Sequence, residues 1–116
     1  MTTTHLVITL VTIAANAGMG VADVLRARFV LASSASVDVP AGWVPALGIL
    51  KLAGAAGLAA GLAGFPAAGT AAAIGLVLFF VGAIGAHVRA HALSTLGAPG
   101  GYLVLAVASL VTGMAT

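Results

Sequence analysis

The chain has 116 residues, of which 62% are hydrophobic and 5% are charged, and its mean hydropathy is +1.26. Because about a quarter of the residues in soluble globular domains are charged, this composition excludes that class and indicates a single domain embedded in the lipid bilayer. Four Lys and Arg residues are too few for a nucleic-acid-binding face, and the absence of cysteine excludes disulfide exchange and thiolate chemistry.

The hydropathy pattern predicts an all-α integral membrane protein, a bundle of four transmembrane helices. A helix of about 20 apolar residues crosses a hydrocarbon core of about 30 Å. The predicted spans are residues 5–25, 43–64, 67–88 and 102–114. The first residues lack the Lys or Arg cluster of a secretory signal, so the first span is expected to be retained as a transmembrane helix.

The connections between the spans differ in length and polarity. Residues 29–41 are rich in serine and are predicted to form a polar connection that folds over the end of the bundle. Residues 65–66 allow only a tight turn, so the second and third spans are expected to form an antiparallel hairpin. In the connection 92–101, Pro99 either starts the fourth span or precedes it.

The arginines predict the topology. Four spans place both termini on one side of the membrane, and Arg26, Arg28 and Arg89 lie in or beside the two connections on the other side. Because the opposite side has no Lys or Arg, the positive-inside rule predicts that these connections are cytoplasmic. The expected location is the cytoplasmic (inner) membrane, as a multi-pass protein.

Lys51 is the first candidate site residue, since it is the single charge within an apolar run of about 20 residues. A lysine at this depth costs about 2.5–3.5 kcal/mol on insertion scales, so it should face the protein interior or a hydrated cavity. On a helix it shares a face with Gly54 and Gly61, and small residues let a neighbouring helix approach closely. We therefore expect Lys51 to be buried between helices and held by Asp23.

The topology brings further polar residues to the level of Lys51. Lys51 lies about 12 Å below Trp43, and Asn16 lies about 10 Å below Asp23, at 1.5 Å per helical residue. We predict a polar pocket formed by Asn16, Asp23, Lys51 and His87, open or nearly open to the cytoplasmic surface. The candidate catalytic residues are Lys51, Asp23 and His87. The candidate ligand-binding residues are Asn16, Arg26, Trp43 and Arg89.

Each of these residues also has a structural interpretation. Lys51 and Asp23 can form an ion pair that only holds the helices together, and Asn16 can donate a hydrogen bond to a neighbouring helix. His87 has a second histidine four residues later, but without a third His, Cys or Glu beside them no metal site is expected. The arginines can be topology anchors, and residues 79–80 can serve packing or lipid contact.

Several motifs carry a family resemblance over nearly the whole chain. They are Asn16, Asp23-Val24-Leu25-Arg26, Val39-Pro40, Trp43, Leu47-Gly48 with Lys51, Gly54, Gly57-Leu58, Gly61-Leu62, residues 75–83 and His87-Val88-Arg89. With these motifs the chain resembles the small DoxX-like membrane proteins of actinobacterial type. The resemblance implies a four-helix bundle in the cytoplasmic membrane. It also implies association with membrane redox assemblies, such as a thiosulfate:quinone oxidoreductase subunit or an oxidative-stress complex.

Three functions remain open. The first is a membrane or quinone-binding component of a redox system, with a quinone as the candidate cofactor. The second is a membrane-embedded acid–base enzyme, of isomerase or epoxide hydrolase type, in which Asp23 or His87 takes a proton and Lys51 or Asn16 stabilises an oxyanion. The third is a non-catalytic structural or transport-associated bundle. The expected partners are a lipophilic small molecule and either a second copy of the chain or a membrane redox partner.

Overall fold

The structure is a computed structural model, and it describes residues 2–92 and 96–115. Within these ranges the chain forms five α-helices, one 3₁₀ turn and no strand. The helices are α1 Thr3–Val24, α2 Arg28–Ser36, α3 Val44–Leu62, α4 Pro66–Arg89 and α5 Gly97–Met114, and the 3₁₀ turn is Ala41–Trp43. Part of the predicted connection 92–101, residues 93–95, lies outside the described residues.

Four of the helices are long and apolar enough to cross a membrane: α1, α3 with the turn before it, α4 and α5. The predicted fold class, an all-α membrane protein with four spans, is confirmed. The first three predicted spans correspond to α1, α3 and α4, whereas α5 begins at Gly97, five residues before the predicted start. Pro99 lies in the first turn of α5, where a backbone N–H has no intrahelical acceptor and its absence is tolerated.

The other spans also begin with residues that suit the backbone N–H groups left without an intrahelical acceptor. The Thr2 side chain accepts a hydrogen bond from the His5 backbone N–H at 3.1 Å and so caps α1. Pro45 and Pro66 stand in the first turns of α3 and α4.

The polar connection after α1 contains a short helix, α2 at residues 28–36, which the sequence analysis did not predict. This segment contains neither glycine nor proline, so its serines do not prevent a helix. Val30 is its one buried residue, and the following Val37 is also buried. The connection is therefore partly helical, and α2 packs against the 3₁₀ turn and α3.

The four spans form a ring in which neighbours are antiparallel. α1 packs against α3 and α5, and α4 packs against α3 and α5. We call the end of the bundle that carries Arg26, Arg28 and Arg89 the arginine end. The opposite end, where α1 begins and α5 finishes, is the terminal end.

Glycines allow the closest helix contacts. A Cβ atom built at Gly48 of α3 would lie 2.6 Å from Asp23 Cβ and 2.7 Å from the Gly20 carbonyl oxygen of α1. A Cβ atom at Gly61 would lie 2.7 Å from Gly69 Cα on α4. Both approaches are closer than real Cβ atoms allow, so α3 depends on glycine to pack against its two neighbours.

The interior contains one apolar core, formed by buried Leu58, Ala73, Leu76, Phe80 and Ala106. The buried residues of α1, in contrast, are all polar or glycine. They are Thr9, Thr12, Asn16, Gly20 and Asp23. Large apolar side chains of this helix point outward, among them Val7, Leu10 and Val11. This distribution suits a helix in lipid, where apolar groups face the acyl chains and polar groups face protein.

Candidate functional site

Lys51 and Asp23 form the ion pair that the sequence predicts. Lys51 Nζ donates to Asp23 Oδ2 at 2.8 Å. The Lys51 side chain is 13% exposed and the Asp23 side chain 3%, so both charges are almost completely withdrawn from solvent and lipid. It is the sole salt bridge among residues 2–92 and 96–115.

The helix geometry brings this pair together. Asp23 stands at the end of α1, and Lys51 lies in the third turn of α3, which runs in the opposite direction. Side chains of a helix lean toward its amino end, so the Lys51 ammonium extends from its own level toward the arginine end, where Asp23 lies. Gly48, one turn before Lys51, contacts Asp23 directly and leaves space for the carboxylate.

An aromatic row continues from the ion pair. Lys51 Nζ lies 5.6 Å from the centroid of the Phe79 ring, a cation–π distance. Phe79 meets Phe80 edge to face at 5.0 Å, and Phe80 stacks on Tyr102 at 5.1 Å. Phe80 is a core residue, as the packing interpretation states, but the contact of Phe79 with the ammonium was not predicted. Spacing alone does not show it, because it depends on how α4 is rotated against α3.

Asn16 is fully buried and has an unusual hydrogen-bonding state. Its Nδ2 donates to the Thr12 carbonyl of the same helix at 2.9 Å, so the interpretation of Asn16 as a donor to a neighbouring helix is wrong. Its Oδ1 has no hydrogen-bond partner within the described part of the chain. A buried acceptor without a partner costs about 1–3 kcal/mol, so this oxygen is suited to receive a hydrogen from a bound molecule.

His87 is also buried, near the end of α4. Its Nδ1 lies 2.9 Å from the Ala83 carbonyl oxygen, one turn earlier. Because a carbonyl only accepts, Nδ1 carries a proton and Nε2 of the neutral ring is the basic nitrogen. No hydrogen bond joins His87 to Lys51 or Asp23 across the described residues, so a pocket shared by all three remains a prediction.

The remaining predicted residues lie on the surface of the arginine end. Trp43 is 62% exposed at the start of α3, a position suited to the membrane interface. Arg26 and Arg89 are exposed and take part in no salt bridge to a described residue. Arg26 also has a left-handed backbone conformation, with φ 53°, in the turn after α1, where glycine is the usual residue. The structure thus brings together Lys51 and Asp23 and leaves these three residues outside that contact.

The sequence analysis missed a second polar cluster, at the terminal end. Thr9 and Ser109 are both buried, and their hydroxyl oxygens lie 2.7 Å apart. His5 Nδ1 lies 2.8 Å from Thr112 Oγ1 and 3.4 Å from Thr9 Oγ1. A signal was available on α1, since the polar residues at positions 5, 9, 12, 16 and 23 lie on one helical face.

A cavity of about 140 Å³ adjoins this second cluster. All four spans contribute to its wall, which includes His5, Thr9 and Ser109 on one side and Leu58 and Ala73 toward the core. Neither Lys51 nor Asp23 lines it. The two polar clusters therefore occupy opposite ends of the bundle.

A protein-family model described as the DoxX-like family matches residues 7–109, which include all four spans in whole or in large part. No curated protein and no solved structure matches the chain.

Proposed function

We propose that this protein, which belongs to the DoxX-like family, binds the polar head of a quinone-type molecule at its Lys51–Asp23 pair and acts as the membrane component of a redox system. The observation that carries this proposal is the buried ion pair itself, with its oxygen and nitrogen 2.8 Å apart. The redox assignment rests on the family resemblance, and the ligand chemistry rests on the pair.

A structural role alone does not explain why the bundle contains this buried ion pair. Replacing a buried ion pair by apolar residues of similar volume is often neutral or stabilising. In lipid, the apolar replacements would not expose hydrophobic surface to water. Glycines already provide the α1–α3 contact at Gly20 and Gly48. The charges of Lys51 and Asp23 are therefore better explained by a molecule that uses them.

The pair offers complementary groups to both forms of a quinone. Lys51 gives one of its three N–H groups to Asp23, and a second is available for a carbonyl oxygen. Asp23 accepts through Oδ2, which leaves Oδ1 for a quinol hydroxyl. Phe79 covers the ammonium on one side and provides an aromatic surface for a planar ring. The residues that line the 140 Å³ cavity do not include the pair, so the head group would approach along the exposed edge of Lys51.

The single tryptophan provides the test. Quinones quench tryptophan fluorescence, and Trp43 lies about 12 Å along the helix axis from Lys51. Titration of the reconstituted protein with decylubiquinone should give saturable quenching. Lys51→Met should weaken binding about tenfold or more, because it removes a charge-assisted hydrogen bond.

Arg28→Gln is the matched control. It removes a positive charge from the same end of the bundle, where Arg28 is exposed and lies outside the ion pair. This variant should retain the affinity of the unchanged protein. Equal quenching in Lys51→Met and Arg28→Gln would mean that the quinone only partitions into lipid, and the proposal would be wrong.

A second candidate function is an acid–base enzyme that acts on a lipophilic metabolite. The observation that favours it is the buried His87 ring, whose Nε2 is left basic by the bond of Nδ1 to Ala83. Mass spectrometry of molecules that co-purify with the protein separates the two functions. Co-purification of a quinone would support the redox component. Co-purification of a terpenoid, or of another molecule with an acidic C–H or an epoxide, would support the enzyme.

A further inference from the structure

The cavity at the terminal end has a defined set of hydrogen-bonding groups. Thr112 determines which ring nitrogen of His5 carries a proton. The single hydroxyl hydrogen of Thr112 is donated to the Ala108 carbonyl at 2.7 Å. Its oxygen must therefore accept from His5 Nδ1, 2.8 Å away, so Nδ1 carries a proton. In the neutral ring Nε2 is then an acceptor, and no hydrogen bond reaches it from the described residues.

Thr9 and Ser109 leave one hydrogen without an acceptor. Whichever hydroxyl donates across the 2.7 Å contact, the hydrogen of the other is unused. His5 Nδ1, 3.4 Å from Thr9 Oγ1, cannot accept it because that nitrogen already carries a proton. Both side chains are about 1% exposed. Besides the hydroxyl of Thr70, which is exposed, the cavity wall thus presents one free O–H donor at Thr9–Ser109 and one free nitrogen acceptor at His5.

A hydroxyl group matches this pair, because it accepts one hydrogen bond and donates another. Charged ligands do not fit, since His5 is the sole ionisable side chain among the described residues of the lining, and burying an unpaired charge is unfavourable. The rest of the lining is largely apolar and includes Leu58, Ala73 and Leu110. The volume of about 140 Å³ is close to that of engineered apolar cavities, about 150 Å³, that accommodate benzene in another protein.

We propose that this cavity is a binding site for the hydroxyl group of an uncharged cyclic or aromatic alcohol of about the size of phenol. The hydroxyl oxygen accepts from the Thr9–Ser109 pair, and its hydrogen is donated to His5 Nε2. The ring lies against Leu58, Ala73 and Leu110. The site is independent of the Lys51–Asp23 pair and stands whether or not a quinone binds there.

Three matched probes test the hydrogen-bonding pattern with the unchanged full chain in detergent. Fluorine NMR measures the binding of 4-fluorophenol, which donates and accepts, of 4-fluoroanisole, which only accepts, and of 4-fluorotoluene, which does neither. We expect saturable binding of 4-fluorophenol, and binding of 4-fluoroanisole weaker by about fivefold to tenfold, the effect of one neutral hydrogen bond. Equal binding of the three probes would show partition into the micelle and overturn the proposal.

Variants locate the site. Ser109→Ala with Thr9→Val removes the free donor, and His5→Phe removes the free acceptor. Each change should weaken 4-fluorophenol binding by about fivefold or more while 4-fluorotoluene is unaffected. Ser33→Ala, which removes an exposed hydroxyl from α2, should change nothing. Absence of saturable 4-fluorophenol binding to the unchanged protein would mean that the cavity holds water only, and the proposal would be wrong regardless of how the variants fold.

Discussion

Removing the charge of Asp23 should destabilise the bundle more than removing both charges of the ion pair. Asp23→Asn preserves the shape and one acceptor oxygen but leaves the Lys51 ammonium without a counter-charge. At 2.8 Å and an effective dielectric constant of about 20, the attraction between two unit charges is about 6 kcal/mol. Most of it is offset by the desolvation of both groups, and breaking one partner of a buried pair costs about 3–5 kcal/mol.

The exposure of Lys51 places the expected value at the lower end of this range. Its side chain is 13% exposed, so water can hydrate part of the orphaned ammonium. We expect Asp23→Asn to lower the free energy of unfolding by about 3 kcal/mol. The double variant Asp23→Leu with Lys51→Met should lie within about 1 kcal/mol of the unchanged protein, because it leaves no charge buried.

Unfolding by sodium dodecyl sulfate in mixed micelles, followed by far-UV circular dichroism, measures both values. A single Asp23→Asn variant within about 0.5 kcal/mol of the unchanged protein would refute the reasoning, since such a change is typical of surface substitutions. A double variant as unstable as Asp23→Asn would also refute it, because the loss would then come from packing and not from the uncompensated charge.

Two further predictions concern packing and orientation. Gly48→Ala should destabilise the bundle by about 1–3 kcal/mol in the same unfolding assay, because the new methyl group would overlap the Gly20 backbone and Asp23. The control Gly82→Ala should be neutral or slightly stabilising, because nothing lies within 4 Å of the new atom. A neutral Gly48→Ala would contradict the close α1–α3 contact. Single cysteines introduced at Thr3 and Ser33 should react with an impermeant thiol reagent from outside intact cells at Thr3 alone, since the arginine end is expected to be cytoplasmic. Reaction at Ser33 with protection at Thr3 would invert the predicted topology.

The fold was largely predictable because hydrophobic length is decisive in a membrane. Span lengths and the turn at residues 65–66 were sufficient to predict α1, α3 and α4. Two features were missed: the helix α2 within the serine-rich connection, and the start of α5 at Gly97, which lies within the predicted connection 92–101. In both places the backbone can form a helix, so composition alone did not determine the boundary.

The candidate site was predictable in part. Lys51 is the one lysine and Asp23 the one acidic residue within the predicted spans, and a lysine side chain can reach along its helix, so the Lys51–Asp23 contact followed from topology. The partners of the terminal-end cluster could not be found in this way. Ser109 and Thr112 belong to α5. In any helix in lipid such hydroxyls can donate to the carbonyl four residues earlier, so their presence does not indicate a partner on another helix. Only the register between α1 and α5 selects Thr9 and His5 as their partners.

The two polar clusters are kept apart by the packing of the bundle. Thr9 and Asp23 are fourteen residues apart on α1, which is about 21 Å along the helix axis. Between them, Gly20 of α1 packs closely against Gly48 of α3, and the apolar core, including Leu76, lies between α3, α4 and α5. The Lys51–Asp23 pair therefore lies toward the arginine end and the cavity toward the terminal end, with no lining residue in common, so the two proposed ligands would not compete for one site.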